Sequence, residues 1–285
     1  MTGFVTAADG LRLAYDDLGT GLPLLCLPGL TRNMADFEPV LQRFAACARI
    51  IRMDFRGRGM SDWAPDPASY AISQEAADVL TLLDHLGLKK VAILGTSRGG
   101  LVAMALAAMA RDRLAGVLFN DVGPVLMPEG LAAIMKHIGK TPPYRSLAEA
   151  AAALPEAYAP AFRNVPLETW VDFAARLWRE EGGHLHLRYD PKLRDAVAAG
   201  FASAAPVPNL WPLFDALAGL PLGLIRGVGS NILSAQTAAE MCARRPDMLY
   251  AELPDRGHVP FLDEPQAVDA ISRFLDALTH SDEQH

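Results

Sequence analysis

The sequence predicts an α/β fold in which a mostly parallel sheet carries helices on both faces. Short, uniformly apolar runs recur along the chain, as expected for parallel strands that are covered on both sides. Amphipathic helical stretches separate these runs, and strands that alternate with helices imply crossover connections within one sheet. In such sheets, ligands bind at the carboxyl ends of the strands.

The first half of the chain supplies most of the predicted sheet. Residues 4–7 and the alternating residues 11–15, joined by Asp9-Gly10, predict an edge hairpin. Buried strands are predicted at residues 22–27, 50–55, 91–94 and 117–120. Between the second and third of these, residues 73–87 place apolar side chains on one face of a helix, with Ser73 as its N-cap and Gly87 as its stop.

The strand pattern stops after residue 126 and resumes near residue 214. Ala-rich helical segments, separated by prolines, are predicted at residues 131–138, 147–158, 167–181 and 192–201. Strands at 222–225 and 248–253 follow, with helices at 235–243 and 265–278. We therefore predict a core built from residues 1–126 and 214–285, with a helical insertion at residues 127–213.

Composition limits the possible partners. The chain has 285 residues, of which 51% are hydrophobic, enough to bury a substantial core. Its net charge is −7 and it has no basic cluster, which argues against nucleic acid and against an anionic membrane surface. We expect a small-molecule substrate and either a monomer or a homodimer.

The spacing of the three cysteines and the absence of a signal-peptide pattern favour a reducing environment. Cys26, Cys47 and Cys242 lie far apart without C-x-x-C spacing, so no disulfide framework is expected. The first ten residues lack the basic and apolar regions of a signal peptide, and no apolar run approaches the roughly 18 residues of a membrane-spanning helix. The expected location is the cytoplasm.

Ser97 is the candidate nucleophile. Gly95-Thr96-Ser97-Arg98-Gly99 fits the pattern G-x-S-x-G and lies between a predicted strand and a predicted helix. The pentapeptide is weak evidence alone, but a serine on a sharp strand-to-helix turn needs flanking glycines, and the helix directs its positive end at an oxyanion.

A serine hydroxyl needs a base, and His258 is the best placed of the histidines. It lies in the loop after the last predicted strand, and the order nucleophile, then base, suits this architecture. His184 and His186 form an H-x-H pair without a nearby third ligand, so we expect no metal site. No cofactor is expected either.

Four segments together resemble the α/β-hydrolase superfamily, over nearly the whole chain. The resemblance is closest to carboxylesterase-like and enol-lactonase-like serine hydrolases. The segments are Leu27-Pro28-Gly29-Leu30, residues 54–61 (DFRGRGMS), the Ser97 turn and Gly257-His258.

The resemblance implies an eight-stranded, mostly parallel sheet with a lid inserted after the sixth strand, here residues 127–213. It also implies an oxyanion hole made of the backbone N–H groups of Leu30 and Arg98. Pro28 stands where the family usually has histidine, so the hydrogen bonding of that loop must differ.

The acid of the triad is ambiguous. The resemblance places an aspartate at about Asn231, after the seventh strand, but no carboxylate occurs between Asp215 and Glu240. An amide can orient a histidine, yet it cannot stabilise the imidazolium. Asp121, at the end of the sixth strand, is the alternative acid, because some family members carry the acid there.

Arg98 places a cation beside the nucleophile, at a helix start where the dipole disfavours it. An ion pair with Asp54 or Asp121 is favoured over recognition of a substrate carboxylate. The insertion is rich in aromatic residues, most of them expected to pack on the sheet, and favours an apolar substrate. They are Tyr144, Phe162, Trp170, Phe173, Trp178 and Trp211.

The predicted function is a cofactor-free serine hydrolase that cleaves a small, apolar carboxylic ester or lactone through an acyl-enzyme. Two alternatives stay open. One is a carbon–carbon bond hydrolase of the same fold. The other is a weakly active or non-catalytic binding protein, because Asn231 stands at the expected acid position.

Overall fold

The protein is described by a computed structural model that covers residues 2–202 and 209–282, without the side chains of residues 200–202 and 280–282. Within these residues, eight strands form one sheet, and a separate two-stranded antiparallel sheet lies in the insertion. The predicted α/β-hydrolase fold with a mostly parallel eight-stranded sheet is confirmed.

The strands of the main sheet follow the order β1-β2-β4-β3-β5-β6-β9-β10. β1 and β2 run antiparallel to their neighbours, and the other pairs are parallel. The strands are β1 Gly3–Thr6, β2 Arg12–Leu18, β3 Pro23–Leu27, β4 Arg49–Met53, β5 Val91–Thr96, β6 Leu114–Asn120, β7 Trp178–Glu181, β8 His184–Leu187, β9 Leu222–Gly227 and β10 Leu249–Leu253.

Helices connect the parallel strands and cover both faces of the sheet. They are α1 Glu38–Phe44, α2 Ile72–His85, α3 Arg98–Ala110, α4 Pro128–His137, α5 Leu147–Tyr158, α6 Leu167–Leu177, α7 Leu193–Ala202, α8 Trp211–Asp215, α9 Ala235–Arg244 and α10 Pro265–Asp282. Every residue of β5 and β9 is buried, which explains why both strands are apolar except for Thr96 and Arg226.

Two apolar layers hold the helices to the sheet. On one face, Val79 of α2 and Val102 of α3 belong to the same buried cluster as Ile93 of β5. On the other face, Phe44 of α1 and Phe274 of α10 belong to a second cluster. Since β3, β5 and β6 are covered on both sides, their carboxyl ends are held rigidly at one edge of the sheet.

Two details of the predicted helices differ. α2 ends before Gly87 as expected, but it begins at Ile72 with no side-chain cap, rather than after Ser73. The helix predicted over residues 167–181 stops at Leu177, and Trp178–Glu181 pairs as β7 with β8. Glycines at 182 and 183, both with positive φ, form the tight turn that a helical pattern cannot reveal.

The segment between β6 and β9 contains α4 to α7 and the β7-β8 hairpin. Residues 203–208, including Pro206 to Pro208 of the predicted insertion, lie outside the described residues. The division at residues 126 and 213 stays a prediction. No helix within residues 2–202 and 209–282 combines the length and the apolar character needed to cross a bilayer.

Candidate active site

Ser97 occupies the sharp turn between β5 and α3. Its backbone has φ 50° and ψ −113°, a strained conformation for a residue with a side chain. The neighbouring glycines permit the turn, since a Cβ on Gly95 would lie 2.6 Å from the Gly100 nitrogen. A Cβ on Gly99 would lie 2.1 Å from the Leu27 carbonyl oxygen. The turn therefore presents the Ser97 hydroxyl at the carboxyl end of the sheet.

His258 lies in the loop between β10 and α10 and contacts Ser97. Its Nε2 is 2.9 Å from the Ser97 Oγ, and its Nδ1 is 2.7 Å from the Asp121 Oδ2. The Asp121 side chain is fully buried, whereas Ser97 and His258 are half-buried. Serine, histidine and carboxylate are thus joined in the order that a proton relay from a serine requires.

Asp121 is fixed by the loop that follows β9. The Gly227 N–H donates to its Oδ1 at 3.0 Å, and the Ser230 hydroxyl donates to its Oδ2 at 2.6 Å. The backbone of Asp121 has a positive φ of 56°, which bends its side chain back toward these donors. Aspartate adopts this conformation more readily than most residues. The carboxylate is therefore held in place for His258.

The structure pairs His258 with Asp121 and not with Asn231, where the acid was expected. Asn231 is exposed, and no hydrogen bond links it to His258 within the described residues. The reason lies in the loop after β9, which contributes the Ser230 hydroxyl to the carboxylate instead of contributing a carboxylate itself. The Asn231 backbone carbonyl lies against Gly130 of α4.

Asn120, which the sequence did not single out, ties the histidine loop to the sheet. Its side-chain amide donates to the Thr96 hydroxyl at 3.1 Å and to the Pro260 carbonyl at 3.2 Å. Thr96 and Asn120 are the last residues of β5 and β6, and they directly precede Ser97 and Asp121 in the chain. The amide thus joins both strand ends to the loop of His258.

The two predicted oxyanion donors lie on either side of Ser97. Leu30 follows Gly29, and a Cβ on Gly29 would lie 3.7 Å from the Ser97 Cβ, so this loop passes close to the nucleophile. Arg98 is the first residue of α3, where a backbone N–H has no acceptor within the helix. Their role in binding an oxyanion stays a prediction.

The Arg98 side chain pairs with Glu75, and not with Asp54 or Asp121 as predicted. Its Nε lies 2.6 Å from the Glu75 Oε2, and its NH2 donates to the Tyr70 carbonyl at 2.6 Å. Glu75 lies in α2, which packs beside α3, and no sequence motif indicates this pairing. Asp54 instead accepts hydrogen bonds from the Met34 and Met60 N–H groups.

Asp54 is buried and forms no salt bridge within the described residues, and burial raises its pKa from 3.8 to about 6. The two N–H donors oppose this rise, whereas the negative charges of Asp16 and Asp36 add to it. A raised pKa means that the protonated carboxyl favours folding. This contribution to the free energy of unfolding is complete below pH 3.8 and is lost as the pH rises through 6.

The titration of Asp54 can be measured against Asp54→Asn, whose side chain does not ionise. We expect the free energy of unfolding of the wild type, relative to this variant, to fall by about 2 kcal/mol between pH 4.5 and 7.5. Urea unfolding at several pH values measures the difference. Equal changes for both proteins over this range would contradict the raised pKa.

Aromatic side chains of the insertion pack beside the histidine loop. Phe261, three residues after His258, lies 5.3 Å from Phe173 and 5.7 Å from Trp170 between ring centroids. The Arg32 guanidinium lies 4.4 Å over the Phe173 ring. The cluster contains Tyr158, Phe162, Trp170, Phe173 and Phe261. These side chains form a buried apolar cluster that includes Phe261 of the histidine loop.

Trp211 and the pair His184 and His186 lie away from Ser97 and His258. Trp211 belongs to α8, where it packs on Phe214 of the main core rather than with the aromatic residues of the insertion. His184 and His186 are both exposed on β8. Within the described residues, no group of three or more His, Cys, Asp or Glu side chains has an arrangement that could hold a metal ion.

Comparison with known proteins decides the family. Residues 24–271 match the model of the alpha/beta hydrolase family. The protein belongs to this family. A crystal structure of an alpha/beta hydrolase from Novosphingobium aromaticivorans superimposes with a TM-score of 0.89 at 41% identity, covering 97% of this chain and 98% of that one.

Two curated relatives of this alpha/beta hydrolase are themselves hydrolases. The 3-hydroxybutyrate-oligomer hydrolase of Cupriavidus necator is 33% identical over 93% of this chain and 92% of its own length. The 2-(acetamidomethylene)succinate hydrolase of Mesorhizobium japonicum is 28% identical over 94% of this chain and 92% of its own length. Family and relatives together support a hydrolase activity.

Proposed function

We propose that this alpha/beta hydrolase is a serine hydrolase that cleaves carboxylic esters through an acyl-enzyme. The observation that carries the proposal is the continuous chain of contacts from Ser97 through His258 to Asp121, at 2.9 Å and 2.7 Å. A hydroxyl at this distance from an imidazole that is itself held by a carboxylate is the arrangement that activates serine.

In the proposed mechanism, the Ser97 Oγ attacks the ester carbonyl carbon while the His258 Nε2 accepts the serine proton. The imidazolium then donates this proton to the leaving alcohol, which leaves the acyl group on Ser97. Water attacks the acyl-enzyme with His258 again as the base, and His258 returns the proton to the Ser97 Oγ as the carboxylic acid is released. Asp121 keeps the proton of the imidazole on Nδ1 and stabilises the imidazolium in both steps.

Stabilisation of the tetrahedral intermediate is assigned to the backbone N–H groups of Leu30 and Arg98. Both residues adjoin Ser97, one through the Gly29 loop and the other as its chain neighbour. The first turn of α3 adds the positive end of its dipole. Loss of a single such donor lowers kcat by about 100- to 1,000-fold in other hydrolases.

The proposed substrate is an oligoester of a short hydroxy acid. The relative named 3-hydroxybutyrate-oligomer hydrolase shares nearly the full length of the chain, and oligomers of a hydroxy acid are joined by ester bonds. The aromatic cluster around Phe173 and Phe261 suits the apolar part of such an acid. Residues 127–213 are proposed to form the lid that carries most of this cluster.

The main argument for a non-catalytic binding protein does not apply to this site. It rested on Asn231 at the expected acid position, whereas Asp121 contacts the His258 Nδ1. A buried carboxylate held by two donors has a clear role in turnover and little role in a binding pocket. We therefore do not retain this alternative.

Covalent labelling tests the nucleophile. A fluorophosphonate probe should label the folded wild type at Ser97, found by peptide mass spectrometry, and should not label Ser97→Ala. The control Ser69→Ala changes a serine in an exposed turn and should be labelled like the wild type. An unlabelled wild type would overturn the serine hydrolase proposal.

Substrate turnover tests the bond that is cleaved. The wild type should hydrolyse p-nitrophenyl butyrate and the linear dimer of 3-hydroxybutyrate, with release of monomer followed by chromatography. Activity on a diketone combined with no activity on either ester would favour the carbon–carbon bond hydrolase instead.

A further inference from the structure

Three buried charged side chains form a connected group behind Ser97, outside the proposed triad. Glu75 of α2 is fully buried and lies between Arg58 and Arg98. Its Oε1 is 2.8 Å from the Arg58 NH1, and its Oε2 is 2.6 Å from the Arg98 Nε. The Arg58 side chain is also fully buried, and that of Arg98 is 12% exposed.

The contact between Glu75 and Arg98 fixes the start of α3. The Arg98 guanidinium is fixed at two points, the Glu75 carboxylate and the Tyr70 carbonyl. Glu75 lies in the first turn of α2 and Tyr70 lies two residues before that helix, so they hold the first residue of α3 against the start of α2. The backbone N–H of Arg98 is one of the two proposed oxyanion donors.

The contact between Glu75 and Arg58 connects the group to Leu30, the other proposed donor. The Arg58 Nε donates to the Leu30 carbonyl at 2.9 Å, and its NH1 donates to the Arg56 carbonyl at 2.6 Å. Burial lowers the pKa of Arg58 to about 10, an effect that Glu75 opposes and Arg98 reinforces. Glu75 thus supports the charged form of Arg58, whose side chain is fully buried.

We propose that Glu75 is a positioning residue that holds both donors of the oxyanion hole at once, Leu30 through Arg58 and Arg98 through its own side chain. The inference rests on the proposed serine hydrolase function. One carboxylate, with an oxygen for each arginine, sets the relative position of two backbone groups that lie 68 residues apart in the sequence.

A glutamine at position 75 would break this arrangement. Its amide has one acceptor oxygen, so its NH2 group would face one of the two guanidinium groups, donor against donor. That arginine would shift, and the backbone N–H group that it holds would shift with it. Because an oxyanion donor acts on the transition state, the change should lower kcat and leave KM nearly unchanged.

The test compares Glu75→Gln and Arg98→Met with the wild type in hydrolysis of p-nitrophenyl butyrate. We expect kcat to fall by about 100-fold in Glu75→Gln, comparable to the loss of one donor. Arg98→Met removes the ion pair with Glu75 and leaves the balanced pair Arg58–Glu75. For this variant we expect kcat to fall by about 10-fold, because the first residue of α3 is held less firmly. KM should stay within about threefold for both variants.

Binding of a trifluoromethyl ketone, whose adduct with serine places an oxyanion in the hole, adds a readout that a structural role would not move. Its affinity should weaken by the same factor as kcat/KM, while the pH profile of His258 stays unchanged. Asp84→Asn, an exposed carboxylate of α2 paired with Arg113, is the matched control and should keep wild-type kinetics.

The outcomes separate the two proposals. If the wild type turns over ester and both folded variants keep kcat within twofold, the positioning role of Glu75 is overturned and the hydrolase proposal stands. If Glu75→Gln does not fold, Arg98→Met decides in the same way. A wild type that neither turns over ester nor reacts with the fluorophosphonate overturns both proposals.

Discussion

Replacing Asp121 with asparagine should lower kcat for p-nitrophenyl butyrate by about 10,000-fold. The variant keeps the backbone, because asparagine tolerates the positive φ of this position as aspartate does. Its amide NH2 would face the His258 Nδ1, which favours the tautomer with the proton on Nε2. That nitrogen could then no longer accept the proton of Ser97, and no carboxylate would stabilise the imidazolium.

Position 231 supplies the matched comparison for this variant. Asn231→Asp and Asn231→Ala should both keep kcat within about twofold, since the side chain is exposed and an exposed substitution changes little. Steady-state kinetics with circular dichroism measures both effects. A large gain in Asn231→Asp, together with little loss in Asp121→Asn, would place the working acid after β9 and contradict the geometry.

Replacing Gly99 with alanine should both destabilise the protein and inactivate it. The added Cβ would lie 2.1 Å from the Leu27 carbonyl oxygen and 2.6 Å from its carbon, so α3 or the end of β3 must move. Overpacking of this kind costs about 3 kcal/mol. Because the Leu30 loop follows β3 and Ser97 precedes α3, both sides of the site shift, and a displacement of about 1 Å can lower kcat by about 100-fold.

Thermal unfolding and steady-state kinetics measure the two effects of Gly99→Ala. Gly182→Ala is the control, since Gly182 has φ 61° but no other atom within 4 Å of an added Cβ. It should cost about 1 kcal/mol through backbone strain alone, with kcat unchanged. A fully active and stable Gly99→Ala protein would show that the close approach of α3 to β3 is dispensable.

The fold was predictable because its signals are local. Buried parallel strands read as apolar runs, and those at β3, β4, β5, β6 and β9 were all recognisable. The β7-β8 hairpin was missed because the amphipathic pattern of α6 continues into Trp178, and two residues in a turn decide where the helix ends. Local pattern therefore placed the elements better than it placed their ends.

The candidate site was predictable where a motif is contiguous. Ser97 and His258 each stand in a short recognisable segment, and the structure brings them within hydrogen-bond distance. The sequence alone leaves the acid open between Asp121 and Asn231, because the contacts of Asp121 include the Ser230 hydroxyl, 109 residues further along the chain. No local pattern encodes such a contact.

The predicted ion-pair partner of Arg98 was wrong for a related reason. Asp54 and Asp121 lie at the ends of predicted strands, where the site is expected, whereas Glu75 lies within a predicted helix. The packing of α2 against α3 brings Glu75 to Arg98, and this choice between carboxylates depends on tertiary geometry. A buried charge on a helix is visible only once its neighbours are known.

The position of the proposed acid, Asp121, after β6 has a consequence for engineering new specificities. The loop after β9 needs only the Gly227 N–H and the Ser230 hydroxyl to support Asp121, and Val228 and Asn231 are exposed. Gly229 meanwhile lies against Ala161 of the insertion. Randomised libraries at positions 228 and 231 could therefore alter the border between core and insertion while leaving the proton relay intact, a freedom that an enzyme with its acid in this loop does not have.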